Sequence, residues 1–279
     1  MVGLLAGIRS LKFRLARKLA AAPLFFDAFI DELPDLSISN EQRDRLFRAC
    51  LASLNGAAPS SLVVQEFETA TGSRVHYSQE GEDIFLARCY PLDKSGFFVD
   101  VGAHHPLRFS NTYALYRRGW RGINVDATPG SMDAFKKMRP DDVNIESAVS
   151  DVERPLTFHV FEEAALNTFD ADLAKEYVRL GWKLGRTLEL APRPLASILD
   201  ENLPAGQHVD VLNIDVEGGE LAVLRSNNWD AYAPDTIVLE VLDTPLATQA
   251  RDPSISFLAE KGYVPVARLS NSVILRREA

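Results

Sequence analysis

Cysteine is nearly absent from this 279-residue sequence: only Cys50 and Cys89 occur, without CxxC spacing and without clustered histidines. A disulfide framework and a zinc centre are therefore excluded as organising elements, and a reducing, cytoplasmic setting is expected. Long apolar runs are missing too. No stretch approaches the roughly 20 residues that a membrane-spanning helix needs. The first 26 residues hold Arg9, Lys12, Arg14, Arg17 and Lys18 and no acid. Those charges break up the apolar residues, so a secretory signal with a continuous apolar core fits poorly. Dense positive charge is also lacking: the formal net charge is -9. No nucleic-acid partner is expected, because phosphate binding needs a concentrated basic surface.

What is present reads first as helix. Leu4, Ile8, Leu11, Leu15 and Leu19 share one helical face. Ser39 and Gln42 have capping-box spacing ahead of the periodic residues Leu46, Phe47, Cys50, Leu51 and Leu54. Asn55 to Ser61 forms a break. Residues 1–72 are thus expected to be an N-terminal helical extension, and 73–279 the main domain. The basic first helix suits docking on its own domain or a homo-oligomer contact. Peripheral contact with an anionic membrane is the less favoured use.

From about residue 75 strands alternate with helices. Ser78 can cap a helix carrying Ile84, Phe85 and Leu86. Phe97–Gly102, Gly122–Asp126, Val143–Val149, Val209–Asp215 and Thr236–Val241 read as strands. Helices are expected near 109–118, 130–138, 219–225 and 253–261. Leu156–Phe161 alternates like an additional strand, and 171–183 reads as a helical insertion. Two last strands, 263–268 and 272–276, are joined by a link short enough for a hairpin. The expected fold is α/β: a doubly wound, mostly parallel, seven-stranded Rossmann-like sheet with a terminal antiparallel hairpin.

In such sheets ligands sit beyond the carboxyl ends of the strands, where the strand order switches. Those ends carry Asp100 and Gly102, Asp126, Ser150, Asp215 and Glu217, and Glu240. Gly102 permits a sharp turn and close approach of backbone to a ligand. The G-x-G-x-x-G pattern that brings N–H groups to a pyrophosphate is missing from Gly102-Ala103-His104-His105-Pro106. That counts against a nicotinamide-dependent oxidoreductase. An acid at the end of the second strand, Asp126, can accept from two ribose hydroxyls; a turn or cap is its other reading.

Five segments carry a family resemblance: Tyr77-Ser78-Gln79-Glu80-Gly81-Glu82-Asp83, Phe98 to His104, Ser110-Asn111-Thr112, Gly119-Trp120-Arg121-Gly122 and Ile214 to Gly218. In this order and spacing the chain resembles the FkbM-type methyltransferases over about residues 75–245. The resemblance implies a class I fold and S-adenosylmethionine-dependent O-methylation of a hydroxyl on a sugar, glycan or related natural product. It also implies that Asp100 and Gly102 hold the methionine end of the cofactor and Asp126 the ribose. Ser150 would lie near the adenine, and Gln79 and Asn111 at the cofactor or substrate entrance; Asp215 is expected at the cofactor as well. Many relatives have Glu-Pro-Asn after the second strand; here Asp126-Ala127-Thr128-Pro129 stands there, with an acid one methylene shorter.

Taking a proton from an alcohol calls for a base, and His104, His105, Asp215 and Glu217 are the candidates. The two histidines can equally form a hydrogen-bonded loop without a part in proton transfer. Asp215 and Glu217 can share a face if their strand continues, or sit at the rim if Gly218 starts a turn. With Glu240 they form an oxygen donor set of the kind that takes Mg²⁺ or Ca²⁺. Glu220 suits helix capping. Asn167-Thr168-Phe169 and Trp182 either cover the substrate or form a structural turn and a packed aromatic. A non-catalytic scaffold on the same fold is the remaining alternative.

Overall fold

The central strand β1 (Phe97–Val101) is buried at every residue, the signature of a strand covered on both faces. The computed structural model describes residues 75–91, 93–242 and 244–278. The helices expected within residues 1–72 lie outside the described residues. Residues His76–Ala279 form one compact unit.

Around β1 the described chain winds through α1 (Glu82–Cys89), α2 (Tyr113–Arg117), β2 (Arg121–Asp126), α3 (Met132–Met138) and β3 (Val143–Glu146). An insertion follows, made of β4 (Leu156–Phe161), α4 (Ala171–Arg179) and β5 (Leu184–Leu190). The chain then returns through α5 (Leu195–Asn202), β6 (Val211–Ile214), α6 (Glu220–Arg225), β7 (Thr236–Glu240), α7 (Pro253–Glu260), β8 (Tyr263–Arg268) and β9 (Ser272–Arg277).

Seven strands form the main sheet in the order β3-β2-β1-β6-β7-β9-β8. β3, β2, β1, β6 and β7 pair in parallel, and β9 runs antiparallel to both β7 and β8. The doubly wound sheet with its terminal antiparallel hairpin is thus present as the sequence pattern implies. Alternation along β1 feeds two cores. Phe97, Val99 and Val101 pack with residues of α5, α6 and α7, including Ile198, Val223 and Leu258. Phe98 faces the other way, against Leu86 of α1, Leu115 of α2 and Trp120. Asp100, two residues on, shares the face of Phe98.

Local details differ from the sequence reading or add to it. The helix expected near 109–118 begins only at Tyr113, because Phe109 adopts a left-handed φ of 59° and Ser110 Oγ accepts the Tyr113 N–H. The additional strand β4 pairs antiparallel with β5 in a separate two-stranded sheet, and His159 also bridges Thr168. No element was expected at β5 or α5. The side chains of β5 are mostly exposed, so its sequence carries no apolar period, and pairing with β4 makes it a strand. Among the described residues no helix is long and apolar enough to cross a membrane.

Candidate active site

The switch in strand order falls between β1 and β6, and a cavity of 350 Å³ opens over their carboxyl ends. That size is ordinary for a small-molecule site. Every residue expected at the cofactor lines it: Gln79, Asp100, Gly102, Asn111, Asp126, Ser150 and Asp215. His104 and Glu217 line it as well; Glu240 does not.

Gly102 has φ 81°, and a Cβ there would lie 1.7 Å from the Asp215 carbonyl oxygen. The close approach that demands glycine is therefore to the protein's own β6 exit rather than to a ligand. It clamps the ends of β1 and β6 together at the cavity floor. Asp100 is fully buried, and its carboxylate accepts from Thr112 Oγ1 at 2.6 Å and Asn213 Nδ2 at 2.8 Å. Burial pushes its pKa above the usual carboxylate value, against Arg139, which pulls it down. Asn111 Nδ2 donates in turn to Asn213 Oδ1. Asp100 and Asn111 thus stand in one amide and carboxylate wall. Thr112 belongs to a segment that carries the resemblance but was given no role, and Asn213 was not singled out from the sequence. A polar Asn213 inside the apolar run Val211–Ile214 is the signal that marks it.

At the tip of β2, Asp126 is held by two backbone donors. His104 N–H reaches Oδ2 at 2.9 Å, and Thr128 N–H reaches Oδ1 at 2.7 Å. Each carboxylate oxygen keeps further acceptor capacity. Ser150 is buried, and its Oγ accepts the Val152 N–H at 3.3 Å.

The two adjacent histidines separate into different roles. His105 Nδ1 accepts from the N–H groups of Leu107 and Arg108 at 3.1 and 2.9 Å, so it builds the loop. Burial lowers its pKa to about 4. His104 lines the cavity with a left-handed φ of 54°, and its Nε2 is buried without a hydrogen-bond partner. Burial lowers its pKa below 6.5, with Asp126 opposing, so the imidazole is neutral near pH 7. His104, Phe109 and Glu217 are the non-glycine residues with positive φ among the described residues, and all three line the cavity. Such backbone strain persists where the surroundings over-determine it, commonly at functional sites.

β6 ends at Ile214, so Asp215 and Glu217 do not continue a strand. The turn at Gly218 places both at the rim. Glu217 Oε2 accepts the Tyr177 hydroxyl at 2.6 Å, and its carbonyl oxygen accepts the Thr168 hydroxyl at 2.7 Å. Asp215, Glu217 and Glu240 have ligand oxygens within 4.8 Å of one another. Glu220 Oε1 accepts the N–H groups of Val216 and Gly218, the capping role expected for it. Burial, and then the Glu240 charge, push its pKa up to about 8.

The insertion covers one side. Phe158, Asn167, Phe169 and Asp170 line the cavity, and Asn167 Nδ2 donates to Thr128 Oγ1. Thr168 is buried and holds Glu217. Trp182 is not in the wall.

Residues 100–265 match the family model described as the methyltransferase FkbM domain. No curated protein matches the chain. Solved structures that resemble it include a TehB-like SAM-dependent methyltransferase from Corynebacterium glutamicum, at 10% identity and TM-score 0.36 over 77% of this chain and 95% of that one. Another is a precorrin-6y C5,15-methyltransferase from Geobacter metallireducens, at 16% identity and TM-score 0.33 over 71% and 87%. At those scores neither likeness bears on function.

Proposed function

This chain belongs to the FkbM methyltransferase family, and we propose that it moves a methyl group from S-adenosylmethionine to a hydroxyl of a sugar, glycan or related natural product. One observation carries the reading. A carboxylate fixed at the tip of β2 and a neutral imidazole at the exit of β1 line the same cavity at the strand-order switch.

The donor set fits that cofactor. Asp126 offers two oriented oxygens to a pair of ribose hydroxyls. Asp100, Gly102 and Asn111 would hold the methionine end, with Gln79 at the entrance and Ser150 near the adenine. When bound, S-adenosylmethionine supplies a methyl already activated on a sulfonium. The chain's own tasks are alignment and proton removal. His104 takes the proton from the acceptor hydroxyl, a contribution that typically amounts to about 10²–10⁴-fold. Asp215 and Glu217 accept hydrogen bonds from the acceptor's hydroxyls, or share the proton. Asp215, Glu217 and Glu240 are also the residues that would hold Mg²⁺, whose charge would acidify a nearby hydroxyl.

Calorimetry tests the donor and a methyl-transfer assay the acceptor. Binding of S-adenosylmethionine but not NAD, at about micromolar Kd, is expected, with a loss of at least about ten-fold in Asp126→Asn. His104→Gln should bind the donor as tightly and lose about 10²-fold in turnover on a panel of glycosides. A folded protein that binds no S-adenosylmethionine, or undiminished turnover in His104→Gln, would overturn the respective assignment.

A further inference from the structure

Arg139 follows α3, and its side chain is completely buried, beneath the cavity rather than in it. Its Nε donates to Asp142 Oδ2 at 2.8 Å. Its Nη1 donates to Thr112 Oγ1 at 3.1 Å and lies 3.5 Å from Ser110 Oγ. Phe98, Tyr116 and Phe135 pack their rings 5.0–5.4 Å from the guanidinium. Taking a guanidinium out of water costs several kcal/mol unless charge and hydrogen bonds compensate it. The direct ion pair with Asp142 does so on one side. Asp142 is itself anchored by the Gly122 N–H and by Asn124 Nδ2, so that pair is closed.

The other side leads to the cavity. Thr112 Oγ1 accepts from Arg139 and donates to Asp100 Oδ2, so the hydroxyl is oriented in one sense only. Asp100 Oδ1 takes Asn213, which takes Asn111, and both Asp100 and Asn111 line the cavity. The chain of contacts therefore runs from a buried cation to the wall, through residues of the Ser110-Asn111-Thr112 segment.

We propose that Arg139 is a positioning residue for methyl transfer: acting through Thr112, it sets the charge and orientation of the Asp100 carboxylate in the cavity wall. This rests on the reading of the cavity as the donor site. The charged groups facing Asp100 are Arg139 from the end of α3 and Asp126 from the end of β2. Those facing Arg139 are Asp100, Asp142 and the Tyr116 ring from α2. Burial and Asp126 both favour the protonated acid, whereas Arg139, Thr112 and Asn213 favour the carboxylate. Loss of the relay therefore moves Asp100 toward the neutral form.

The test compares Thr112→Val with Thr112→Ser, alongside Arg139→Met and Arg139→Lys. S-adenosylmethionine affinity is measured by calorimetry across about pH 5–9, together with thermal stability without donor. Thr112→Val should weaken donor binding about ten-fold near neutral pH and move the acid limb of binding upward. Thr112→Ser should restore both, and Arg139→Met should exceed Thr112→Val. Without donor, raising the pKa of Asp100 extends the window in which stability falls as pH rises, so Thr112→Val should show that fall continuing to higher pH. Affinity and both pH profiles unchanged in a folded Thr112→Val protein would overturn the proposal. Wild-type protein that binds no donor would overturn the donor reading, and the donor-free curves would still decide whether Arg139 governs Asp100.

Discussion

The strands β1, β6 and β7 are buried at every residue, whereas β5 of the insertion leaves most of its side chains in solvent. The difference teaches where order comes from in each region. The sheet is held by apolar burial, which is non-directional and strong per area. The insertion buries fewer apolar side chains, Phe158, Phe161, Leu166 and Tyr177 among them, and adds polar ties to the rim: Thr168 and Tyr177 to Glu217, Asn167 to Thr128, and Glu163 to Arg108. The sheet supplies one side of the cavity, and the insertion covers another through Phe158, Asn167, Phe169 and Asp170.

Substitutions that separate the two regions should differ in size. Gly102→Ala at the cavity floor meets both a left-handed backbone and the Asp215 carbonyl; it should cost more than about 3 kcal/mol in urea unfolding. Gly181→Ala in the insertion has the same backbone sign but open space around it, and should cost only about 1–2 kcal/mol. Equal losses would break the contrast.

The next effect is a pH dependence. In the folded rim the Glu220 pKa rises from 4.5 to about 8. Stability attached to it is complete below 4.5 and is lost as pH climbs toward 8. Glu220→Gln, which keeps an oxygen for the Val216 and Gly218 N–H groups, should flatten that fall in a melting series against pH. Asp172→Asn in the insertion should leave the curve unchanged, since that carboxylate stands in solvent. Tyr177→Phe should cost about 1 kcal/mol, raise the KM for the acceptor and spare donor affinity. A change confined to donor affinity would move Glu217 into the donor half. Smallest is Glu163→Gln. It weakens a half-exposed ion pair with Arg108, and chemical denaturation should show less than about 1 kcal/mol.

The same division explains what could be read before the fold was seen. Short apolar runs ending in Asp100, Asp126 and Asp215 mark strands and their carboxyl ends, because a central parallel strand must be apolar throughout and its ligand-facing end need not be. Asp126 and Gly102 were found by that pattern. β5 was not, since its sequence satisfies no core. His104 and His105 differ in backbone torsion and hydrogen-bond partners, which an adjacent pair of identical residues does not encode. Nor could Tyr177 be joined to Glu217 across 40 residues, or Arg139 to Asp100, where the carrier is the hydroxyl of Thr112. Ser78 is not the residue at the cap of α1 that its sequence position suggested. Its Oγ accepts the Gly81 and Asp83 N–H groups, although Gly81 occupies the capping position itself.

The cavity floor joins distant parts of the chain. β1 meets β6 in parallel, and Asn213 bonds to Asp100 across 113 residues. Ribosomal synthesis delivers β1, β2 and β3 as a contiguous block that can pair with itself, but β6 follows only after the whole insertion has emerged. Closing so long a loop is entropically slow. The pocket therefore comes into being late, when the last partner of the floor arrives, and a nascent chain ending before Val211 has strands without a binding site. A ligand of the finished pocket can then slow the escape from the native state, yet it cannot guide the early sheet.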